Sequence, residues 1–275
     1  MPKVKVNDIE MYYEVHGSGA PLVYIGGAIS DLRSASMDRN PLVDHFRVLA
    51  FDQNAPDMPY TTAMMGDDAA GLMEATGFSP ALVVGVSFGG MVVQELALRH
   101  PERVLVLVMC CASSGGEGGG AVDFGPVLMN PNRSHDENIL AFLALGDSRR
   151  TPEYIASHRE EMGKMVEDYK RDREAYPPNS VGLPHIIEAR QSHNTYDRLG
   201  QIRIPTIVLG GKYDAQQPPE NQERIAAAIP GAELYMFEGG HSFLSQDKEA
   251  AYGTIINYLR GYLSQPMFGS GVSGL

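Results

Sequence analysis

The sequence contains no tryptophan, only two cysteines and no long uninterrupted run of apolar residues. Cys110 and Cys111 are adjacent within an apolar run, which is typical of buried thiols and argues against a disulfide framework or a metal site. No stretch reaches the roughly 18 uncharged apolar residues that a membrane-spanning helix requires. The N-terminal segment also lacks the charged start, apolar centre and cleavage site of a signal peptide. We therefore expect a cytoplasmic protein with no membrane partner.

Basic side chains are also scarce. The chain has 22 lysines and arginines against 34 acidic residues, a formal net charge of −12. Such a charge keeps a protein in solution and repels phosphate backbones, so nucleic acid is not an expected partner. Hydrophobic residues make up 43% of the 275-residue chain, which is enough to form a core. This length suits one α/β domain, or one such domain with a large insertion.

Short apolar runs rich in β-branched residues recur along the chain and predict strands that are buried on both faces. They lie at 22–25, 48–51, 81–86 and 104–110, and two further strands are predicted at 206–209 and 233–237. Segments with helical spacing lie between or after them, at 64–76, 89–99, 221–228 and 248–263. Because strand and helix alternate, we predict an α/β fold with a mostly parallel, doubly wound sheet. Two short strands within residues 3–16 predict an antiparallel N-terminal start.

The alternation stops after Ser113, where a glycine-rich loop begins, and it resumes at Thr206. The intervening stretch contains three segments of helical character and no strand-like run. We therefore predict a core of residues 1–122 and 196–264, with a helical cap of residues 123–195 inserted into it. Residues 265–275 are a predicted flexible tail.

The sharpest local signal is the motif Gly85-Val86-Ser87-Phe88-Gly89, which has the form G-x-S-x-G and lies between a predicted strand and a predicted helix. Such a turn lifts the serine hydroxyl clear of the backbone, and its glycines let neighbouring segments pass close by. The helix start also directs free N–H groups toward any oxyanion that forms there. Ser87 is therefore a candidate nucleophile. The alternative is a serine that only caps the helix.

A serine nucleophile needs a base and a carboxylate that orients the base. His241 is the candidate base, because it follows the last apolar strand within a glycine-containing loop. Asp214 is the candidate carboxylate, because it follows the strand at 206–209, and the order Ser, Asp, His is the hydrolase order for this kind of turn. A surface histidine and a solvated aspartate are the alternatives. Asp52 is a further strand-end acid, for which we favour a structural role.

Two backbone N–H groups are candidate oxyanion donors. Phe88 follows the nucleophile, and Ala28 lies in the loop after the strand at 22–25, where an ordinary glycine turn is the alternative interpretation. Within the predicted cap, His185 or His193 is a candidate substrate contact, with a solvated role as the default. Four further residues either line a pocket or form the cap's own core, which we favour: Tyr154, Met162, Met165 and Tyr169.

Three stretches of the chain resemble the α/β-hydrolase superfamily, particularly its capped bacterial esterases, enol-lactonases and cofactor-free haloperoxidase-like members. They are VVGVSFGGMVVQELALRHPERVLVLV, YDRLGQIRIPTIVLGGKYD and IPGAELYMFEGGHSFL. The likeness covers most of the chain, although the cap carries no match that points to a substrate. The resemblance implies an α/β-hydrolase fold and a triad of Ser87, Asp214 and His241.

The chain departs from many relatives at two places near the expected site. Gly26-Gly27 stands where they have His-Gly, and residues 52–59 lack the arginine and both glycines of their D-x-R-G-x-G-x-S turn. These changes bear on the shape of the site's mouth and leave the triad intact. The absence of tryptophan excludes the indole halide-binding groups of haloalkane dehalogenases. Ser87 also stands where those enzymes and the epoxide hydrolases carry aspartate.

We predict hydrolysis of a small, partly apolar carboxylic ester, lactone or thioester through an acyl-enzyme on Ser87. This chemistry needs no metal and no organic cofactor. One alternative is a non-hydrolytic enzyme of the same fold, namely a C–C bond lyase or hydrolase, a biosynthetic cyclase or a cofactor-free perhydrolase. Another is a ligand-binding pseudoenzyme. The expected partner is a small-molecule substrate, and a homo-oligomer remains an open alternative.

Overall fold

A computed structural model describes residues 2–28, 32, 37–52, 59–177 and 182–265. Within these residues eight strands form one sheet: β1 Lys3–Val6, β2 Ile9–His16, β3 Pro21–Ile25, β4 Arg47–Phe51, β5 Ala81–Val86, β6 Val104–Cys110, β7 Thr206–Gly211 and β8 Glu233–Phe237. Residues 53–58 of the departing turn and 266–275 of the predicted tail lie outside the described residues.

The strand order is β1-β2-β4-β3-β5-β6-β7-β8. The pairs β1-β2 and β2-β4 are antiparallel, and every later pair is parallel. The prediction of a mostly parallel sheet with an antiparallel start is therefore confirmed. Because parallel strands end at the same edge, the loops after β3, β5, β7 and β8 meet there.

Ten α-helices accompany the sheet in the described residues. They are α1 Thr62–Ala75, α2 Phe88–Arg99, α3 Gly125–Leu128, α4 His135–Leu145, α5 Pro152–Ser157, α6 Arg159–Ala175, α7 Gly182–Ser192, α8 Pro219–Ala228, α9 Phe243–Gln246 and α10 Lys248–Leu263. No helix in this part of the chain combines the length and apolar character needed to cross a bilayer.

Helices cover both faces of the sheet, and alternate side chains of each strand supply the two cores. In β5, Val83 packs with apolar residues of α1, α2 and α8, whereas Leu82 and Val84 pack with those of α10. All three side chains are fully buried, and complete burial of such a side chain contributes about 1.5–3 kcal/mol. This two-sided burial explains why central strands such as β5 and β6 have continuous apolar sequences.

Five helices, α3 to α7, lie between β6 and β7, and the described residues from 111 to 205 contain no strand. The segment predicted as a cap is therefore helical. Its apolar side chains contact one another: the Phe142 ring lies 5.6 Å from that of Phe124 and 5.8 Å from that of Tyr169, measured between centroids. Met162 is also buried. These contacts favour a core of the insertion itself over pocket-lining roles for Tyr169 and Met162.

Candidate active site

Ser87 lies at the turn between β5 and α2 in a strained backbone conformation, with φ +56° and ψ −115°. Its backbone N–H donates a 2.8 Å hydrogen bond to the carbonyl of Cys110. A β-carbon at Gly89 would overlap the carbonyl oxygen of Ile25, and one at Gly85 would overlap that of Gly89. The motif's glycines are thus required by close backbone contacts. The Ser87 side chain makes no helix-capping hydrogen bond, so capping does not explain its presence.

The structure brings Ser87, His241 and Asp214 into one hydrogen-bonded chain. His241 Nε2 lies 2.9 Å from Ser87 Oγ, and His241 Nδ1 lies 2.7 Å from Asp214 Oδ2. The first distance is short enough for proton transfer from the serine to the histidine, and the second for a hydrogen bond through which the carboxylate orients the imidazole. The Asp214 side chain is fully buried and that of His241 is 15% exposed, so the chain runs from the interior toward the surface.

The loop that carries Asp214 is held by backbone hydrogen bonds. Asp214 Oδ1 accepts the N–H groups of Gln216 and Gln217, each at 2.8 Å, which leaves Oδ2 directed at His241. Tyr213 N–H donates to the carbonyl of Gly239 at 2.9 Å, so the loops after β7 and β8 stay joined past the ends of their strands. The acid therefore reaches the base in a single defined orientation.

The loop that carries His241 contacts the helical insertion. His241 N–H donates to the carbonyl of Gly146, just past the end of α4, at 2.6 Å. A β-carbon at Gly240 would overlap that same oxygen, which explains the glycine before the histidine. On the other side of the loop, the buried Phe243 ring stacks on Phe237 at 4.9 Å. The base is thus fixed between the core and the insertion.

Cys111 lies beside His241 and Asp214. Its sequence position predicted only a buried thiol. Its Sγ and the ligand atoms of Asp214 and His241 all lie within 4.8 Å of one another. Burial lowers the pKa of His241, but Cys111 and Asp214 outweigh this effect and shift that pKa upward. Burial raises the pKa of the Cys111 thiol.

Thiol, imidazole and carboxylate are also zinc ligands. A metal bound by Cys111, Asp214 and His241 would occupy an imidazole nitrogen, and both nitrogens are used in the hydrogen bonds to Ser87 and Asp214. Metal binding and the acid–base arrangement described above therefore exclude each other.

The two candidate oxyanion donors lie on adjoining elements. Phe88 is the first residue of α2, where backbone N–H groups lack an intrahelical acceptor. Ala28, which is half-buried, lies three residues beyond the end of β3. Gly89 fits against the carbonyl oxygens of Ile25 and Gly26, so the start of α2 contacts the loop that leads to Ala28.

Two other candidates are not part of this arrangement. His193 is buried, and its Nδ1 lies 2.9 Å from Thr62 Oγ1 while its Nε2 lies 3.2 Å from Thr195 Oγ1. Burial, with a smaller effect from the charge of Arg198, lowers the pKa of His193 to about 3, so it is neutral and structural. Asp52 accepts the N–H of Leu32 at 2.9 Å, which agrees with the structural role favoured for it.

A buried arginine, Arg190 on α7, was also not predicted. It is only 3% exposed, and its guanidinium carbon lies 4.7 Å from the centre of the Phe124 ring. Helical spacing could have indicated its burial, because Arg190 follows the buried Ile186 by four residues and so shares its face of α7.

This sheet order, with a serine at the strained turn after β5, defines an α/β-hydrolase architecture. A family profile of the alpha/beta hydrolase fold matches residues 21–248. Because the match spans most of the sequence, the chain belongs to the α/β-hydrolase family and is an enzyme of that class.

Two relatives match nearly the whole chain. The chain is 27% identical over 252 residues to a protein of Azorhizobium caulinodans named as a carbamate hydrolase, RutD, covering 88% of this chain and 92% of the other. It is 27% identical over 257 residues to the poly(3-hydroxyalkanoate) depolymerase of Ectopseudomonas oleovorans, covering 87% and 84%.

The crystal structure of the enol-lactonase from Burkholderia xenovorans LB400 has the same fold. The TM-score is 0.74 at 23% identity, and the superposition covers 94% of this chain and 100% of the lactonase.

Proposed function

We propose that this protein is a serine hydrolase that cleaves a small carboxylic ester, lactone or thioester. The observation that carries the proposal is the chain of two hydrogen bonds from Ser87 Oγ through His241 to Asp214, at 2.9 and 2.7 Å. A serine in a strained turn, hydrogen-bonded to a histidine that is itself hydrogen-bonded to a buried carboxylate, is the arrangement of a serine hydrolase.

In the proposed reaction, Ser87 Oγ attacks the carbonyl carbon while His241 Nε2 takes the hydroxyl proton. The N–H groups of Ala28 and Phe88 stabilise the oxyanion of the tetrahedral intermediate. His241 then gives its proton to the leaving oxygen or sulfur as the bond to the acyl carbon breaks. A water molecule, deprotonated by the same imidazole, then attacks the acyl carbon. The imidazole returns that proton to Ser87 Oγ as the acyl–Oγ bond breaks and the acid leaves. Asp214 orients the imidazole and stabilises its charged form.

The relatives support acyl chemistry without defining the substrate. Their names specify a carbamate, a poly(3-hydroxyalkanoate) and an enol-lactone, and each of these compounds has a carbonyl carbon that a serine can attack. We also propose that residues 123–195 act as a cap over the site. The bond from His241 N–H to Gly146 supports this role, because it places the end of α4 at the base.

The test combines a fluorophosphonate probe with a panel of short aryl esters. We expect wild type to be labelled at Ser87 and to hydrolyse at least one ester, and Ser87→Ala to do neither. Ser192→Ala is the matched control, because Ser192 Oγ bonds only to carbonyls of its own helix; it should behave as wild type. Absence of labelling in wild type would refute the nucleophile. Labelling without ester turnover would favour a non-hydrolytic enzyme or a binding protein.

A further inference from the structure

Arg190 is a buried cation without an anionic partner in the described part of the chain. Its Nη1 donates to the carbonyl of Val122 at 2.6 Å. Its Nη2 is buried and has no hydrogen-bond partner among the described residues. Asp123 and Asp214 are the carboxylates whose charges act on it, yet neither is hydrogen-bonded to it.

This arrangement is energetically unfavourable unless something else binds the guanidinium. Burial lowers the pKa of Arg190 to about 10, which still leaves the side chain charged at neutral pH. An unpaired charge and an unsatisfied donor both destabilise a folded protein when they are removed from water. Violations of this kind concentrate at functional sites, where a ligand supplies the missing partner.

Arg190 is connected to the proposed active site through a short series of hydrogen bonds. Val122, whose carbonyl accepts from Arg190, donates its N–H to the carbonyl of Gln216 at 3.0 Å. Gln216 in turn donates its N–H to Asp214 Oδ1 at 2.8 Å. The cation therefore lies where α7 meets the loop of the catalytic acid.

A second observation at the same loop points to a polar ligand. Gln217 follows Gln216 and is fully buried, yet neither its amide nitrogen nor its amide oxygen has a hydrogen-bond partner among the described residues. The buried Ser114 Oγ and Gln222 Oε1 are likewise unpartnered. Native interiors contain few such groups, and most are satisfied by water or by a ligand. The acid loop, to which Arg190 is linked through Val122 and Gln216, thus carries further polar groups without a partner among the described residues.

We propose that Arg190 binds a carboxylate of the substrate, so that the ester, lactone or thioester cleaved here is anionic. This inference rests on the proposed function and specifies its substrate class. A guanidinium matches a carboxylate in geometry, and the Phe124 ring beneath Arg190 helps to hold its plane. The net charge of −12 disfavours approach of an anion in general, so a dedicated buried cation would provide the selectivity.

Paired esters with and without one carboxylate test the proposal. The acyl-side pair is 4-nitrophenyl hemiglutarate and 4-nitrophenyl pentanoate, and the leaving-group pair is 4-acetoxybenzoate and phenyl acetate. We expect wild type to prefer the anionic member of one pair, by kcat/KM. Arg190→Met should lower that anionic-to-neutral ratio about 10- to 100-fold, or ~1.4–2.8 kcal/mol, and Arg190→Lys should lower it less. The pair whose ratio falls in Arg190→Met shows whether the substrate's carboxylate lies on the acyl group or on the leaving group.

Arg171→Met is the matched control, since Arg171 is an exposed arginine of α6 that pairs with Asp168; it should leave the ratio unchanged. Equal losses for anionic and neutral esters in Arg190→Met would show a structural role and overturn the proposal. Wild-type preference for the neutral ester in both pairs would do the same.

A binding measurement covers the case in which Arg190→Met does not fold. Calorimetry with Ser87→Ala should detect millimolar or tighter binding of glutarate or 4-hydroxybenzoate, weakened at least about 10-fold when Arg190→Lys is added. Absence of binding by both anions would overturn the proposal. Because this assay needs no turnover, and probe labelling of Ser87 is scored separately, failure of the carboxylate site is distinguishable from failure of the hydrolase proposal.

Discussion

Two helices of this protein, α2 and α6, differ sharply in how the rest of the chain constrains them. α2 has 12 residues, of which ten are buried, whereas α6 has 17 residues, of which only Met162 and Val166 are buried. α2 begins at the proposed nucleophile and packs against the sheet, while α6 lies within the insertion. Ser87 therefore precedes an element with almost no free surface, whereas we expect the sequence of α6 to tolerate change with little effect on the fold.

The largest effect on turnover is expected at Asp214, which lies in the loop after β7 and is hydrogen-bonded to His241. Asp214→Asn should lower kcat about 1,000- to 10,000-fold, because an amide no longer holds His241 in the required tautomer. Steady-state kinetics on the best aryl ester measure it. Asp67→Asn is the control, since Asp67 is a partly exposed acid that pairs with Arg99 on the surface; its effect should stay below about threefold. Comparable losses in the two variants would contradict the assigned role.

A β-carbon on α2 tests the rigidity of that helix directly. Gly89→Ala should destabilise the fold by about 3 kcal/mol or more, because the added carbon would overlap the carbonyl oxygens of Ile25 and Gly26. Denaturant unfolding measures the change, and a fall in ester turnover should accompany it. A variant as stable as wild type would show that the turn after β5 is more adaptable than its contacts indicate.

The pH dependence of kcat/KM tests the electrostatic environment of His241. Because the pKa of His241 is shifted upward and the base must be neutral, kcat/KM should rise with pH along a limb centred above about 6.5, the ordinary imidazole value. The imidazole pKa, followed by NMR, should fall in Asp214→Asn, where the stabilising charge is removed. A limb centred below 6 would contradict the described environment of the base.

The smallest effect is expected from a glycine-to-alanine substitution on α6, the counterpart of Gly89→Ala on α2. Gly163→Ala introduces a β-carbon on an exposed part of the helix, where no described atom beyond the adjoining residues and the local helix backbone lies within 4 Å. It should stabilise the protein by up to about 1 kcal/mol, because alanine has the higher helix propensity, and leave ester turnover unchanged. Denaturant unfolding of Gly163→Ala and Gly89→Ala, measured side by side, compares the change in free energy of unfolding on α6 with that on α2. Destabilisation by more than about 1 kcal/mol would mean that α6 is packed more tightly than described.

Much of the fold follows from local sequence. The runs at 81–86 and 104–110 coincide with β5 and β6, because a strand buried on both faces is apolar along its whole length. The run at 233–237 coincides with β8, an edge strand whose Leu234 and Tyr235 side chains are exposed. Helix starts were less accurate: α1 begins at Thr62, two residues before the predicted start, since the Thr61 side chain accepts the Met64 N–H and extends the helix backwards.

The site was predictable to a smaller extent. Ser87, Asp214 and His241 meet as expected because strand ends and chain order determine where their loops lie. Cys111 and Arg190 were missed for a shared reason. A cysteine at the end of an apolar run indicates core, and an arginine in a helix indicates solvent, so only tertiary packing reveals that each lies beside the acid loop.

The hydrogen bond from His241 N–H to the carbonyl of Gly146 has a consequence for engineering. The donor belongs to the base loop and the acceptor to the inserted segment, so an insertion taken from a relative would keep this support of the histidine only if it placed a backbone carbonyl at the same point. A chimaera that retains residues 146–147 and replaces only the helices from α5 onward would keep this contact. Substrate range could then be altered by recombination without disturbing proton transfer.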